Sequence, residues 1–234
     1  MNKKNTLPII AAIDEIPLEN ISEFLKKEIP EISIVKLGLE TFNLGGKVFL
    51  DKFEKESDVE YFLDLKLHDI PNTVYNAIKS LEGLSPKFLT IHLSGGKEMI
   101  NSAIKARDNY LPSTKIIGVT YLTSLSYRNF DDLWGEEKHK LIHKITTMAS
   151  TTSIDGIVCS ANDIPEICPS FLNKIIITPG IRLHKNEKGD QQRVSTPEFA
   201  LNKGSSYLVV GRPLRNEKTK KEIIGQVENF YLSQ

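Results

Sequence analysis

The sequence predicts an α/β fold, a single (β/α)₈ barrel of the TIM-barrel type over residues 1–234, and three observations support this prediction. Eight short apolar runs alternate with stretches in which apolar residues recur at helical spacing. Such alternation is typical of parallel sheets. The runs are nearly continuous in apolar residues, as in "KIIIT" and "YLVVG", which indicates strands covered on both faces. No linker or composition shift divides the chain, so eight βα units in this length favour one closed barrel.

Each predicted strand is an apolar run of four to seven residues. In chain order the predicted strands are residues 7–13, 33–37, 60–65, 88–92, 115–119, 155–159, 174–178 and 207–210. Helical spacing of apolar residues lies between and after these runs, at Leu18, Ile21, Leu25 and Ile29, at Ile78 with Leu81, and at Ile223, Val227, Phe230 and Tyr231. These positions predict helices that pack one face against the barrel.

Charge and composition exclude several classes of protein. Thirty basic and thirty acidic side chains cancel, so binding to nucleic acid or to an anionic membrane has no global electrostatic support. The N-terminal "MNKKNTLPII" has a short apolar stretch interrupted by Pro8, which fits neither a signal peptide nor a membrane-spanning helix. Cys159 and Cys168 lack CxxC spacing and are predicted to be reduced thiols. We expect a cytoplasmic protein that binds neither nucleic acid nor membrane.

Polar and glycine residues collect at the predicted carboxyl ends of the strands, where barrels of this kind hold their active sites. They are Asp14, Lys36, Asp64, Lys66, His92, Thr120, Thr123, Thr178, Pro179, Gly180, Arg182, Gly211 and Arg212. Each one singly could be a solvated loop residue. Together they predict a charged active site at one mouth of the barrel.

The segment "FLDLKLHDIPNTV", residues 62–74, carries the densest charge. Asp64 and Lys66 are two residues apart, so on an extended strand they point to the same side. Burial lowers the pKa of a lysine, whereas neighbouring carboxylates raise it. We therefore expect Asp64 and Asp69 to keep Lys66 protonated. A protonated Lys66 suits a proton donor better than an amine nucleophile. Lys36, at the same mouth, would extend the row of alternating charges.

Local explanations for the same segment remain open. The DxKxxD pattern also fits a surface ion-pair cluster where a strand meets a helix. Asn72 or Thr73 can cap the helix that begins there, and Pro71 suits its first turn. His68 and His92 are interpreted as structural histidines.

The predicted loops after strands seven and eight indicate a ligand with a phosphate group. Glycine stands beside arginine in "TPGIR" and "VVGRPL". Open backbone N–H groups and a guanidinium both bind anions, and the loops after strands seven and eight often hold phosphate. The polar segment at about 182–195 is longer than an ordinary βα connection, which predicts a mobile phosphate lid. Gln191 in this lid could add a neutral donor.

Five motifs resemble those of the orotidine 5'-phosphate decarboxylase family, in family order. They are "DLKLHDIPNT" (64–73), "VTYLTS" (119–124), "TPGIR" (178–182), "GDQQR" (189–193) and "VGRP" (210–213). The resemblance spans the chain from Asp14 to the final helix. It implies a homodimer that converts orotidine 5'-monophosphate (OMP) to UMP and CO₂ in pyrimidine biosynthesis, without a metal or an organic cofactor.

The resemblance also implies a role for each matching residue. Lys66 would protonate C6 as CO₂ leaves, and Asp64 would face the substrate carboxylate. Lys36 would hold the ribose and Asp64, while Asp14 contacts ribose or base and Thr123 lines the pocket. Three residues would reach the neighbouring subunit's site: Asp69, Ile70 and Thr73. The phosphate and the base of the lid would involve Arg182, Gln191, Gly211 and Arg212.

Two alternatives compete with this function. A related group of barrels shares DxKxxD but acts on sugar phosphates with Mg²⁺, namely 3-keto-gulonate phosphate decarboxylases and hexulose phosphate synthases. The HDIPNT continuation and the GDQQR motif favour the pyrimidine enzyme. The second alternative is a phosphate-binding barrel that has lost catalysis, and the complete set of catalytic residue types argues against it.

Overall fold

The computed structural model describes residues 7–125, 127–183 and 194–233. Eight parallel strands close into a barrel in chain order, with β8 paired to β1. They are Ile9–Ala12 (β1), Ile34–Gly38 (β2), Glu60–Leu67 (β3), Phe88–His92 (β4), Lys115–Val119 (β5), Gly156–Val158 (β6), Ile175–Thr178 (β7) and Tyr207–Val210 (β8). The predicted (β/α)₈ barrel is confirmed, and no predicted strand end differs from the observed one by more than two residues.

Helices follow the strands and cover the outside of the barrel. The α-helices are Ile21–Lys27 (α1), Leu39–Glu56 (α2), Pro71–Lys79 (α3), Gly96–Tyr110 (α4), Tyr127–Trp134 (α5), Lys138–Ser150 (α6), Pro197–Asn202 (α7) and Glu217–Leu232 (α8). Short 3₁₀ turns lie at Leu18–Asn20, Leu93–Gly95, Ala161–Glu166, Pro169–Phe171 and Arg212–Arg215. Ile21, Ile78 and Ile223 are buried as their spacing predicts, whereas Tyr231 near the end of α8 is half exposed.

Large apolar side chains fill the inside of the barrel. The inner cluster is formed by Ile10, Ile34, Phe62, Phe88, Ile117, Ile177 and Val209. The rings of Phe62 and Phe88 meet edge to face, 5.8 Å apart between centroids. Because this cluster fills the barrel interior, the polar side chains at the carboxyl ends of the strands lie directly above apolar residues.

Helix α3 begins one residue after the exposed Ile70, which is its N-cap residue and makes no side-chain cap. Pro71 occupies the first turn, as predicted, because its missing N–H needs no acceptor there. The prediction that Asn72 or Thr73 caps this helix is wrong, since both residues already lie inside it. Instead the Asp69 carboxylate accepts a hydrogen bond from the Ile70 N–H at 2.7 Å.

None of the helices in the described ranges combines the length and the apolar character needed to cross a membrane.

Candidate active site

A cavity of about 660 Å³ opens at the carboxyl ends of the strands, a size suited to a small-molecule ligand. Phe62, Val158 and Val209 from the barrel interior contribute to its lining. Ten residues singled out from the sequence also line it: Asp14, Lys36, Asp64, Lys66, Thr123, Pro179, Gly180, Arg182, Gly211 and Arg212. Strands β1, β2, β3 and β8 therefore bring distant sequence positions to one chamber.

Four of these side chains form a row of alternating charge, Lys66, Asp64, Lys36 and Asp14, which we call the charge row. Lys66 Nζ lies 2.7 Å from Asp64 Oδ2, and Lys36 Nζ lies 3.8 Å from the same oxygen. Lys36 Nζ also donates to both carboxylate oxygens of Asp14 at 3.1 Å. Each carboxylate therefore has at least one ammonium beside it, which compensates for the loss of water around the row.

Gly38 has no side chain and so leaves space for part of the charge row. A Cβ atom at this position would lie 2.9 Å from Asp14 Oδ1 and 3.0 Å from Lys36 Nζ. Both distances are shorter than ordinary van der Waals contacts. The absence of a side chain at the end of β2 therefore allows the Lys36–Asp14 pair to form there.

Asp64 is the buried centre of the charge row, with a side chain only 10% exposed. Burial by itself raises the pKa of this carboxyl group, but the charges of Lys66 and Lys36 and the hydrogen bonds from Lys66 and Thr90 oppose burial, so that the pKa lies below its usual value. Asp64 is therefore ionised at neutral pH and places a negative charge inside the chamber.

A bulge in β3, and not simple strand alternation, presents Lys66 to the cavity. Leu63 pairs with Leu89 and Leu67 pairs with Ile91, so β3 uses four residues where β4 uses two. Lys66 itself has a φ of 49°, an uncommon left-handed conformation for a residue with a side chain. The predicted proximity of Asp64 and Lys66 is observed, whereas the extended geometry assumed for it is wrong.

Sequence reasoning missed several polar residues at the site, among them Thr90 and Arg215. Thr90 in β4 is completely buried and contacts both Asp64 and Lys66; its only signal is a hydroxyl inside an apolar strand. Arg215 lines the cavity and donates from Nη1 to Glu15 Oε2 at 2.8 Å. Its Nη2 donates to the Asp14 carbonyl oxygen, so Arg215 ties the turn that carries Asp14 to the loop after β8.

Cationic side chains and glycines gather at the mouth formed after β7 and β8. Gly180, Arg182, Gly211, Arg212 and Arg215 all contribute to the cavity lining. Guanidinium groups and open backbone N–H groups together bind phosphate oxygens. This end of the chamber therefore fits the phosphate of a nucleotide or of a sugar phosphate.

The two described ends of the predicted lid segment lie close to each other. The Arg182 N–H donates to the Ser195 carbonyl at 2.9 Å, and the Ser195 N–H donates to the Gly180 carbonyl at 3.1 Å. The Arg182 side chain donates to the Ile181 carbonyl at 2.8 Å. Residues 184–193, with the predicted phosphate donor Gln191, lie outside the described residues.

Asp69, Ile70 and Thr73 do not contribute to the lining of the cavity of their own chain. All three are exposed, with Asp69 and Ile70 in the connection from β3 to α3 and Thr73 in the first turn of α3, and Ile70 is 66% exposed. The expectation that Asp69 flanks Lys66 is therefore not met within one chain. Their predicted role in a neighbouring subunit's site stays a prediction.

The cysteines and the other candidate metal ligands make no cluster in the described part of the chain. Cys159 is buried and Cys168 is half-buried, and neither forms a disulfide within the described residues. Among the described residues, no group of three or more His, Cys, Asp or Glu side chains is placed to hold a metal ion.

His92, at the end of β4, packs against a second histidine beside the site. Its ring centroid lies 5.2 Å from that of His68. Burial lowers the pKa of His92 to about 4, helped by the positive charges of His68 and Lys66 and opposed by Asp64. His92 is therefore neutral at physiological pH, which fits its predicted structural role.

We expect His92→Gln to weaken the acid sensitivity of the fold. Because the pKa of His92 is lower in the folded state than its ordinary value of about 6.5, the unfolded chain binds the extra proton between these values. Wild-type stability should therefore fall as the pH drops from about 6.5 to about 4. The half-buried ring should account for on the order of 1 kcal/mol of this fall.

Guanidinium unfolding at several pH values across this window measures the effect. The exposed His143→Gln serves as the matched control and should keep the wild-type pH dependence. An unchanged pH dependence in His92→Gln would contradict the assignment of a depressed pKa to His92.

Comparisons with known proteins agree with the geometry of the site. The model of the orotidine 5'-phosphate decarboxylase / HUMPS family matches residues 7–227. The chain is 36% identical over 231 residues to a protein of Dictyoglomus turgidum named orotidine 5'-phosphate decarboxylase, covering 95% of this chain and 94% of that protein. It is 37% identical over 229 residues to the protein of that name from Fusobacterium nucleatum, covering 95% of each. The crystal structure of orotidine 5'-phosphate decarboxylase from Lactobacillus acidophilus superposes with a TM-score of 0.78 at 31% identity, covering 96% of this chain and 99% of that chain.

Proposed function

The chain belongs to the orotidine 5'-phosphate decarboxylase / HUMPS family, and we propose that it uses Lys66 as the proton donor when it converts OMP to UMP and CO₂ in pyrimidine biosynthesis. The observation that carries this proposal is the contact of 2.7 Å between Lys66 Nζ and the buried Asp64 carboxylate, within a chamber that also holds arginines. The membership confirms the resemblance inferred from the five motifs.

The chemistry requires a cation at the carbon that loses CO₂. Breaking the bond to the carboxylate leaves an electron pair on C6, with no adjacent carbonyl to delocalise it well. A fixed ammonium aimed at that carbon stabilises the developing charge and then delivers a proton. Lys66 fits this role because a neighbouring backbone bulge and the Asp64 carboxylate fix its direction.

Asp64 would face the carboxylate that is lost. Its low pKa keeps it ionised, so the two negative charges repel each other in the bound substrate, and the repulsion ends as CO₂ departs. Lys36 and Asp14 extend the charge row away from Lys66, where ribose hydroxyl groups would find both a donor and an acceptor. Thr123 would complete the pocket wall.

The phosphate would bind at the opposite side of the chamber, on Arg212, the Gly211 backbone and Gln191, with Arg182 at the base of the lid. Binding energy from a group remote from the reacting carbon can orient the ring and close a lid. We propose that the 182–195 segment closes over the phosphate, with its described ends at Arg182 and Ser195 hydrogen-bonded to each other. We also propose a cytoplasmic location, because a charged nucleotide does not cross a bilayer unaided.

Decarboxylation of OMP in excess EDTA tests the activity. We expect the purified protein to release CO₂ and to form UMP at an undiminished rate in EDTA. Activity only on a sugar phosphate, and only after Mg²⁺ is restored, would instead place the protein in the metal-dependent branch that shares DxKxxD. Tight binding of UMP without turnover of OMP would indicate a binding protein.

We further propose a homodimer in which Asp69, Ile70 and Thr73 enter the partner's active site. Their exposure in one chain supports this arrangement, because a two-third-exposed isoleucine and a carboxylate outside the charge row are available to a second copy. In a two-fold dimer the same patch would act in both directions, and each site would contain groups from two chains.

Mixing two inactive variants should restore activity if the sites are shared. We expect Lys66→Ala and Asp69→Ala each to be nearly inactive alone. A heterodimer of the two carries one site with intact Lys66 and intact partner Asp69, so random exchange of subunits should recover roughly a quarter of wild-type activity. Assays before and after subunit exchange measure this recovery. Two Lys66→Ala preparations mixed in the same way are the control and should stay inactive. Absence of recovery after verified exchange between Lys66→Ala and Asp69→Ala would place Asp69 in its own chain's site.

A further inference from the structure

Thr90 connects the two residues at the centre of the chamber by a single hydroxyl group. It lies in the middle of β4 and is completely buried. Its Oγ1 accepts a hydrogen bond from the Lys66 backbone N–H at 2.9 Å and donates one to Asp64 Oδ1 at 2.9 Å. Because a hydroxyl has only one proton to donate, these two contacts fix the direction of that proton toward Asp64.

The first contact supports the unusual backbone of Lys66. The register shift between Leu63 and Leu67 takes Lys66 out of the regular pairing with β4, so its N–H needs another acceptor. Thr90 provides that acceptor from the neighbouring strand. A residue at a φ of 49° persists in this conformation only where its surroundings hold it, and the hydrogen bond to Thr90 is such a restraint.

The second contact distributes the two oxygens of Asp64 between different partners. Oδ1 accepts from Thr90, whereas Oδ2 accepts from Lys66 Nζ at 2.7 Å and lies 3.8 Å from Lys36 Nζ. Rotation of the carboxylate would therefore break the Thr90 hydrogen bond and move the ammonium. The orientation of Asp64 and the position of the Lys66 side chain depend on the same hydroxyl.

We infer that Thr90 is a positioning residue for the decarboxylation, whose hydroxyl holds the Lys66 backbone and the Asp64 carboxylate in register so that the ammonium of Lys66 points at the reacting carbon. This inference rests on the proposed function of Lys66. Thr90 itself does not contribute to the cavity lining, so its effect acts through Lys66 and Asp64 and not through a contact with substrate.

Replacement by valine removes the hydroxyl while keeping the branched shape of the side chain. Asp64 Oδ1 and the Lys66 N–H then lose a partner in a buried place, which favours rearrangement of both. Because a misplacement of about 1 Å can cost about 100-fold in rate, we expect Thr90→Val to lower kcat by roughly 10- to 100-fold. KM should change by less than about threefold, because the proposed phosphate and ribose contacts lie elsewhere.

The experiment compares Thr90→Val with Thr90→Ser, which keeps the hydroxyl and should retain kcat within about threefold of wild type. Thr114→Val is the matched control, since Thr114 is also buried and its hydroxyl donates to the Pro86 carbonyl at 2.7 Å, before β5 begins. This control should lose stability and keep its kcat. If Thr90→Val does not fold, Thr90→Cys replaces it, because a thiol is a much weaker hydrogen-bond donor.

A measurement without substrate separates this inference from the proposed function. Carbon NMR of the Asp64 carboxyl group reports the pH at which it titrates, and the loss of the Thr90 hydrogen bond should move that pH upward in Thr90→Val and leave it near wild type in Thr90→Ser. Inactivity of the wild-type protein on OMP would overturn the proposed function, and with it the catalytic part of the inference. Wild-type kcat in Thr90→Val, equal losses in the valine and serine variants, or an unmoved Asp64 titration would overturn the role of Thr90.

Discussion

Lys66→Ala is expected to reduce kcat/KM for OMP by roughly 10⁴-fold or more. General acid catalysis typically contributes about 10²–10⁴-fold, and a fixed charge aimed at a developing anion contributes about 10²–10³-fold. Lys66 would supply both effects at the same carbon, so its removal should cost more than either effect alone. The Lys66 side chain is one-third exposed, so the fold should tolerate its truncation.

Steady-state and single-turnover rates of UMP formation measure this loss, with circular dichroism melting as the check on folding. Lys97→Ala on the surface of α4 is the matched control, because Lys97 is exposed and does not contribute to the cavity lining. Binding of UMP should persist in Lys66→Ala, since the proposed phosphate contacts remain. A near-wild-type rate in a folded Lys66→Ala would remove Lys66 from the chemical step.

The positions of the strands and of most candidate site residues were predictable, because strands that follow one another in the sequence also lie next to one another in the barrel. Strands covered on both faces are continuous apolar runs, as in Ile175–Thr178, and their carboxyl ends meet at one mouth. Asp14 follows β1, whereas Lys36 lies within β2 and Asp64 within β3, and these three strands are adjacent. Their contact therefore follows from topology once the strands are known.

Features that depend on two strands at once were not predictable from one sequence. The bulge that turns Lys66 into the chamber is a mismatch in length between β3 and β4, and neither strand shows it alone. Thr90 resembles any threonine in a strand until its partners on β3 are known. Arg215 reaches the Asp14 turn only because the 3₁₀ turn after β8 carries it there. Local sequence patterns do not encode such pairwise relations.

Asp64→Asn is expected to lower catalysis strongly, and it separates two possible contributions of the carboxylate. The amide keeps the shape of the side chain but removes the charge that repels the substrate carboxylate and pairs with Lys66 and Lys36. We expect kcat to fall by roughly 10²–10³-fold, the range for loss of one preorganised electrostatic group. KM should stay constant or fall, because removal of ground-state repulsion strengthens substrate binding.

The same substitution should change stability in a pH-dependent way. The folded-state pKa of Asp64 is depressed, so its ionised form stabilises the fold above the unfolded-state value of about 3.9, and this contribution disappears as the pH falls through the folded-state value. Asp64→Asn should therefore lower the free energy of unfolding at neutral pH by about 2 kcal/mol. This loss is smaller than for a fully buried ion pair, because Lys66 is partly exposed. The difference in stability between the variant and wild type should shrink in acid. Kinetics with OMP and denaturant unfolding at neutral and acidic pH measure the two effects, with the exposed Asp58→Asn as the control. A raised KM with unchanged kcat would make Asp64 a binding residue only, because a group that acts in the transition state must change kcat.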